Sequence, residues 1–310
     1  MKLQTPVESE RLGRGFGYKD KILFLGSCFA DEIGGRCGKV FLDVNVNPFG
    51  VLFNPCSVAD TLGILSGETH FSEDDIVRCP AGYCSFHHHT SFARETAGEF
   101  LENANSALDS ARSFLKASGW VALTLGTAFV YRYKASGTIV ANCLKLPGSD
   151  FERELISPED VYNALSPHIG SDSNRQWILT VSPVRHIADG LHMNQLSKAV
   201  LQLGLSKLVG EFPNAHYFPS YEIVLDELRD YRFYAEDMAH PSSQCADYVF
   251  ERFMDYALDL NEQPRLARAR HLAAMSGHRP LHPDSEQAIE FERRLNSELS
   301  GFLAGIGRDN

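Results

Sequence analysis

Five short apolar runs, at residues 21–25, 40–44, 120–125, 176–181 and 215–218, constrain this chain more than any other feature. Each is close to continuously apolar rather than alternating, the signature of a strand buried on both faces. Between them lie longer segments with apolar residues at helical spacing, at residues 29–37, 57–66, 97–118, 157–165 and 191–209. Strands that alternate with helices imply a parallel sheet covered on both sides. The expected fold is therefore a three-layer α/β/α sandwich around a five-stranded, mainly parallel, flavodoxin-like sheet. The 44% hydrophobic content of 310 residues suffices for one large core.

In such a sheet, ligands bind outside the carboxyl ends of the strands, so the residues after each run are where chemistry is expected. The first run ends in Gly26-Ser27-Cys28, where an apolar strand breaks into a helix. A serine at that turn projects above the sheet edge, and the first free amides of the helix can stabilise an oxyanion. Asp237-Met238-Ala239-His240 supplies a carboxylate and an imidazole three positions apart. Together with Ser27 they read as a split Ser/His/Asp triad, in which the imidazole takes the serine proton and the carboxylate orients the imidazole. Simpler readings stand beside this one. Ser27 could cap the helix that follows, Asp237 could open a turn before Pro241, and His240 could pack on the next helix. Cys28 reads as packing, with a cysteine nucleophile as its alternative.

Arg185-His186 follows the fourth run and suits a substrate clamp; the alternative is an ion pair from Arg185 to Asp189 or Glu222. Residues 71–95 are irregular and read as an excursion over the sheet edge, with room for short strands. Within it, His87-His88-His89 invites a metal reading, but adjacent side chains on an extended segment point to opposite faces, so His89 lining the cleft is the expectation. A helix is expected over residues 242–258. Beyond about residue 260 the composition changes: residues 265–271 are basic, and Asp284 or Ser285 can cap a last helix carrying Ile289, Leu295, Leu299 and Phe302. Residues 261–310 thus read as a C-terminal helical extension, which packs on the domain or pairs two subunits in a homo-oligomer.

The formal net charge of −11 disfavours nucleic acid and anionic membranes as partners. The first eighteen residues hold Glu8, Glu10, Arg11 and Arg14 without an apolar segment, and no stretch is long enough to span a bilayer. Seven scattered cysteines with no close Cys-x-x-Cys pair fit reduced thiols. A cytoplasmic location and no metal site are the expectations.

Gly26-Ser27-Cys28-Phe29-Ala30 spells the pentapeptide of the GSCFA family, which is similar to the SGNH/GDSL-type hydrolases. Residues 45–50, 126–132, 141–143, 182–186 and 217–241 extend the resemblance across roughly the first 260 residues, taken as the catalytic domain. The resemblance implies Ser27 as nucleophile, with Asp237 and His240 completing the triad. It also implies an oxyanion held by the backbone N–H groups of Ser27 and Gly50. The asparagine usual two residues beyond the third-strand glycine is here Ala128. Thr127, Asn47, Arg185 and His186 are the candidate replacements. The implied activity is a serine esterase or deacylase acting on a small-molecule or carbohydrate acyl ester, with no cofactor. Acyl transfer by the same triad, or a binding module that has lost activity, are the alternatives.

Overall fold

The computed structural model describes residues 4–278, 281–282 and 284–307, and its centre is the sheet that the apolar runs call for. The chain runs β1 (Lys21–Gly26), α1 (Cys28–Lys39), β2 (Asp43–Val46), α2 (Pro55–Ser66), β3 (Val77–Cys79), β4 (Gly82–Cys84), α3 (Ala97–Ala117) and β5 (Trp120–Leu125). It continues through β6 (Phe129–Tyr133), β7 (Ile139–Val140), β8 (Phe151–Leu155), α4 (Pro158–Gly170), β9 (Gln176–Val181), α5 (Leu191–Glu211) and β10 (Ala215–Tyr217). The end of the chain adds α6 (Ser220–Glu222), α7 (Ser243–Ala257), α8 (Gln263–Ser276) and α9 (Glu286–Gly305). The main sheet has the order β10-β9-β5-β1-β2, with every neighbouring pair parallel. This is the flavodoxin-like order, with its switch point beside β1.

Period-two side-chain alternation divides the core between two faces. Leu23, Leu25, Val121, Leu123 and Leu179 face α2, α3, α4 and α5. Ile22, Phe24, Trp120, Ala122 and Ile178 face α1, α7 and α8. Local signals set the helix starts. Ser27 and Asn54 cap α1 and α2, and reciprocal capping boxes, Thr96 with Glu99 and Ser157 with Asp160, open α3 and α4.

Two expectations need correcting. The second strand starts three residues later than the run at 40–44, because Val40 caps α1 and Phe41 adopts a left-handed backbone (φ 63°). Burial of Val40 and Leu42 explains their apolar character, while the strand itself pairs Lys21 with Asp43 and joins them by a 2.6 Å ion pair. The second correction is a three-stranded antiparallel sheet, β7-β6-β8, in a stretch read without strands. The excursion at 71–95 does contain the short hairpin β3–β4. The C-terminal extension packs on the domain: Leu266, Ala269 and Ile306 enter the second core, and Phe302 meets Tyr18 and Phe41 at ring separations of 5.6 and 5.7 Å. Among the described residues no helix is long and apolar enough to cross a membrane.

The turn after β1 is the tightest point of the sheet. Gly26 has φ 142°, and a Cβ there would stand 2.1 Å from the Thr124 carbonyl oxygen. Gly26→Ala is expected to cost more than about 3 kcal/mol of stability in urea unfolding, since both the dihedral and the strand approach exclude a side chain. A loss below about 1 kcal/mol contradicts this account. His88 gives a second expectation. It is fully buried among Phe49, Phe71, Phe92 and Phe100, and burial holds its pKa down to about 3 from 6.5. Between those values the unfolded chain takes up a proton that the folded chain does not, so stability is lost as pH falls through this window. His88→Leu should flatten the pH slope of unfolding free energy between pH 4 and 6 by about one proton, or ~1.4 kcal/mol per pH unit.

Candidate active site

The serine at the end of β1 is held at the carboxyl edge of the sheet, and two neighbours fix its backbone. Its N–H donates to the Thr124 carbonyl at 2.9 Å, and its own carbonyl accepts from Ala30 N–H at 2.8 Å. Ser27 Oγ accepts a long, 3.3 Å bond from Phe29 N–H, so the hydroxyl caps α1 in this geometry. The residue is 1% exposed, and Oγ makes no hydrogen bond to His240.

The Asp-x-x-His segment is built around one carboxylate. Asp237 Oδ1 accepts the N–H groups of Ala239 and His240 at 2.9 and 3.0 Å, while Oδ2 lies 2.6 Å from His240 Nδ1. Those two amides, with the imidazole, lower the Asp237 pKa to about 2. A carboxylate on Nδ1 selects the Nδ1–H tautomer and leaves Nε2 as the basic atom. His240 lines a cavity of about 480 Å³ that Cys28, the neighbour of Ser27, also lines.

The antiparallel sheet forms the opposite wall of this cavity. Phe129 and Tyr131 of β6, Val140 of β7 and Arg153 of β8 line it. Arg153 stacks 3.5 Å above the Phe129 ring and pairs with Asp189, tying the wall to the segment before α5. Sequence reasoning did not reach these residues, since runs of two to five residues gave no periodic signal.

Arg185 lines the cavity, but it forms neither of the ion pairs offered as its alternative. Its Nη1 donates to the Met238 carbonyl at 2.8 Å, and its N–H to that of Ala239 at 3.0 Å. Tyr231 and Tyr234 flank the guanidinium at 5.7 and 5.5 Å. The alternative partners are engaged elsewhere, Asp189 with Arg153 and Glu222 with Tyr217 and Gln202. Arg185 therefore braces the loop between Asp237 and His240, whose Met238 is left-handed (φ 56°).

Of the proposed oxyanion donors, the Ser27 and Gly50 amides, Thr127 and Asn47 are bonded to other groups here. The Ser27 amide has Thr124, and the Gly50 amide donates to Asn47 carbonyl at 2.7 Å. Thr127 Oγ1 lies 3.0 Å from Ser197 Oγ and accepts from Phe129 N–H at 3.0 Å. Ala128 is buried, with its N–H on Ser197 Oγ. Asn47 is turned into the β1 loop: Oδ1 accepts Gly26 N–H at 2.8 Å, and Nδ2 donates to Asp31 at 2.7 Å. His89 is not in the cavity lining. It packs on Gly50, where a Cβ would come 2.3 Å from its own, and caps the turn at Thr90–Phe92. The three adjacent histidines diverge, His87 to Asp60, His88 to Ser85 and His89 to Ser91. Burial, then Asp31, raises the Cys28 thiol pKa, which favours an inert thiol.

His186 does line the cavity. Its pKa is lowered to about 4 by burial and then by Lys198. Lys198 is fully buried on α5, its Nζ donating to the carbonyls of Gly126 and Ser182 at 2.6 and 2.7 Å, and burial lowers its pKa to about 7. The sequence carried a signal for it, a lysine within the stripe Asn194, Lys198, Leu201, Leu205 and Leu208.

The bracing role of Arg185 has a measurable consequence. A hydrogen bond from a charged donor is worth about 1.5–3 kcal/mol, so Arg185→Met should raise amide exchange at Ala239 and His240 about 10- to 100-fold. Exchange unchanged in the variant rules the brace out. No curated protein and no solved structure matches the chain significantly. The family model of the GSCFA family matches residues 21–253, a span that includes Ser27, Arg185, Asp237 and His240. With three quarters of its length under that match, the chain belongs to the GSCFA family.

Proposed function

We propose that the protein is a serine hydrolase acting on acyl esters, with Ser27 as nucleophile, His240 as general base and Asp237 orienting His240. The observation that carries this reading is the Asp237–His240 pair at 2.6 Å, on a cavity bordered by the turn that carries Ser27. The pair has no structural need of so exposed a position: both side chains are about half exposed. Exposed ion pairs contribute little to stability.

In the reaction, Ser27 Oγ leaves its cap on Phe29 N–H, at a cost of about 1 kcal/mol for a helix cap, and meets His240. Oγ attacks the ester carbonyl carbon as its proton passes to His240 Nε2, and the carbonyl π pair moves onto oxygen. Collapse breaks the bond to the alcohol oxygen, which takes the proton from His240. Water, activated by the same imidazole, then releases the acyl group and restores Ser27. An acceptor alcohol in place of water would make the same site an acyltransferase. The apolar wall of Phe53, Phe129 and Val140 suits an acyl chain, and Asn142 and Arg153 suit the polar part of a small-molecule or carbohydrate ester. Seven free cysteines, four of them buried, support action in the reducing cytoplasm.

One observation favours a binding module instead: Ser27 is buried and its hydroxyl is already bonded. A fluorophosphonate probe separates the two readings. The hydrolase reading expects labelling at Ser27, none in Ser27→Ala, and labelling slowed at least about 1,000-fold in His240→Ala. A folded wild-type protein that takes no label favours the binding module.

A further inference from the structure

A tetrahedral intermediate on Ser27 needs hydrogen-bond donors already in place, and removal of one such donor typically costs 10²–10³ in kcat. The nearby groups named above are engaged: the Ser27 and Gly50 amides with backbone carbonyls, the Thr127 hydroxyl with Ser197 and Phe129. Asn54, at the cavity edge, is held as the cap of α2 by Oδ1, which accepts from Ser57 N–H, and its Nδ2 is not among the buried atoms left without a partner. His186 differs from all of these. Its Nε2 is buried and has no hydrogen-bond partner among the described residues. The atom is also near the nucleophile: Nε2 and Ser27 Cβ lie 3.5 and 3.4 Å from the point that a Gly126 Cβ would occupy, so both border the same small space. An unpaired buried polar atom costs about 1–3 kcal/mol, so its retention next to a reactive serine calls for a functional account.

We propose that His186 is a catalytic residue whose Nε2–H donates to the oxyanion formed when Ser27 attacks a carbonyl. This rests on the hydrolase reading and adds the donor that reading lacks. The ring is built for donation. The Gly126 backbone acts on the ring as an acceptor without making a full hydrogen bond to Nε2, and an acceptor on that side favours the Nε2–H tautomer. The Gly126 carbonyl takes a short bond from Lys198 Nζ at 2.6 Å, and the Nε2 proton, with no well-placed acceptor, can meet a new one. Burial first, and then Lys198, His240 and Arg153 around the ring, keep it neutral. The same environment makes it a poor proton acceptor, since an efficient general base has a pKa near the working pH. No carboxylate bonds the His186 ring among the described residues, whereas His240 has Asp237 on Nδ1. The two histidines therefore divide the work. His240 moves the proton, and His186 meets the charge.

The experiment follows p-nitrophenyl acetate hydrolysis and fluorophosphonate labelling in wild-type protein, His186→Ala and His186→Asn, with Tm measured for each. The proposal expects kcat to fall about 10²–10³-fold in His186→Ala with KM within about threefold. His186→Asn, which still offers an N–H donor, should recover at least about tenfold and keep the wild-type shape of the kcat/KM pH profile. Wild-type kcat in His186→Ala overturns the proposal. So does an Asn variant as slow as Ala with the acid limb of its profile lost, the result expected of a general base. A second readout does not depend on turnover: in ¹⁵N-histidine-labelled protein, phosphonylation of Ser27 should shift the His186 Nε2 proton downfield, and an unmoved resonance overturns the role. The outcomes also distinguish the two levels. A wild type that forms no Ser27 adduct overturns the hydrolase reading together with this one, while an adduct formed at wild-type rate in His186→Ala overturns the oxyanion role alone.

Discussion

A buried lysine joins the carboxyl ends of the central strand and its neighbour. Lys198 reaches from α5 to the carbonyls of Gly126 and Ser182, the residues immediately after β5 and β9. These carbonyls have left the sheet ladder and are shut away from water, where an unbonded acceptor is costly. One amine donor satisfies both and fixes the spacing of the strand ends. The Ser27 amide bonds Thr124 on the same edge, and Ser182 N–H bonds Leu125, so β1, β5 and β9 end in one connected lattice. The turns that carry Ser27, Gly126 and His186 inherit its rigidity.

Around this rigid edge the remaining parts of the site come from segments outside the sheet. The Asp237–His240 loop is held by its own carboxylate and by Arg185, and the β6–β8 wall by the Arg153–Asp189 pair. Each is a local device that fastens an irregular segment to the end of β9. Catalytic groups on loops need this kind of support, because positional error of an ångström removes much of their effect.

The electrostatics of the site follow from burial. Asp237 is half exposed and gathers three hydrogen bonds, so it stays ionised; His186 and Lys198 lie in apolar surroundings, which disfavour their charged forms. Two histidines within one cavity thereby acquire different character. Only one of them has a carboxylate partner, and only the other has a buried, unpaired nitrogen.

The sequence by itself determined the architecture. Continuous apolar runs admit burial on both faces, helical spacing supplies the covering layers, and Gly26-Ser27 marks where the first strand breaks into a helix. It also brought Asp237 and His240 together, because three residues of separation already bring the carboxylate to the ring. It placed the second strand three residues early, since an apolar residue under a helix looks the same as one in a strand. Only the tertiary structure decided what Arg185, Asn47, Thr127 and Lys198 do. Their partners, Met238, Asp31, Ser197 and Gly126, lie on other segments, and a polar side chain bonds whatever acceptor or donor the fold brings within about 3 Å. Burial, which sets the protonation of His186, is likewise a property of the packed chain and of no residue alone.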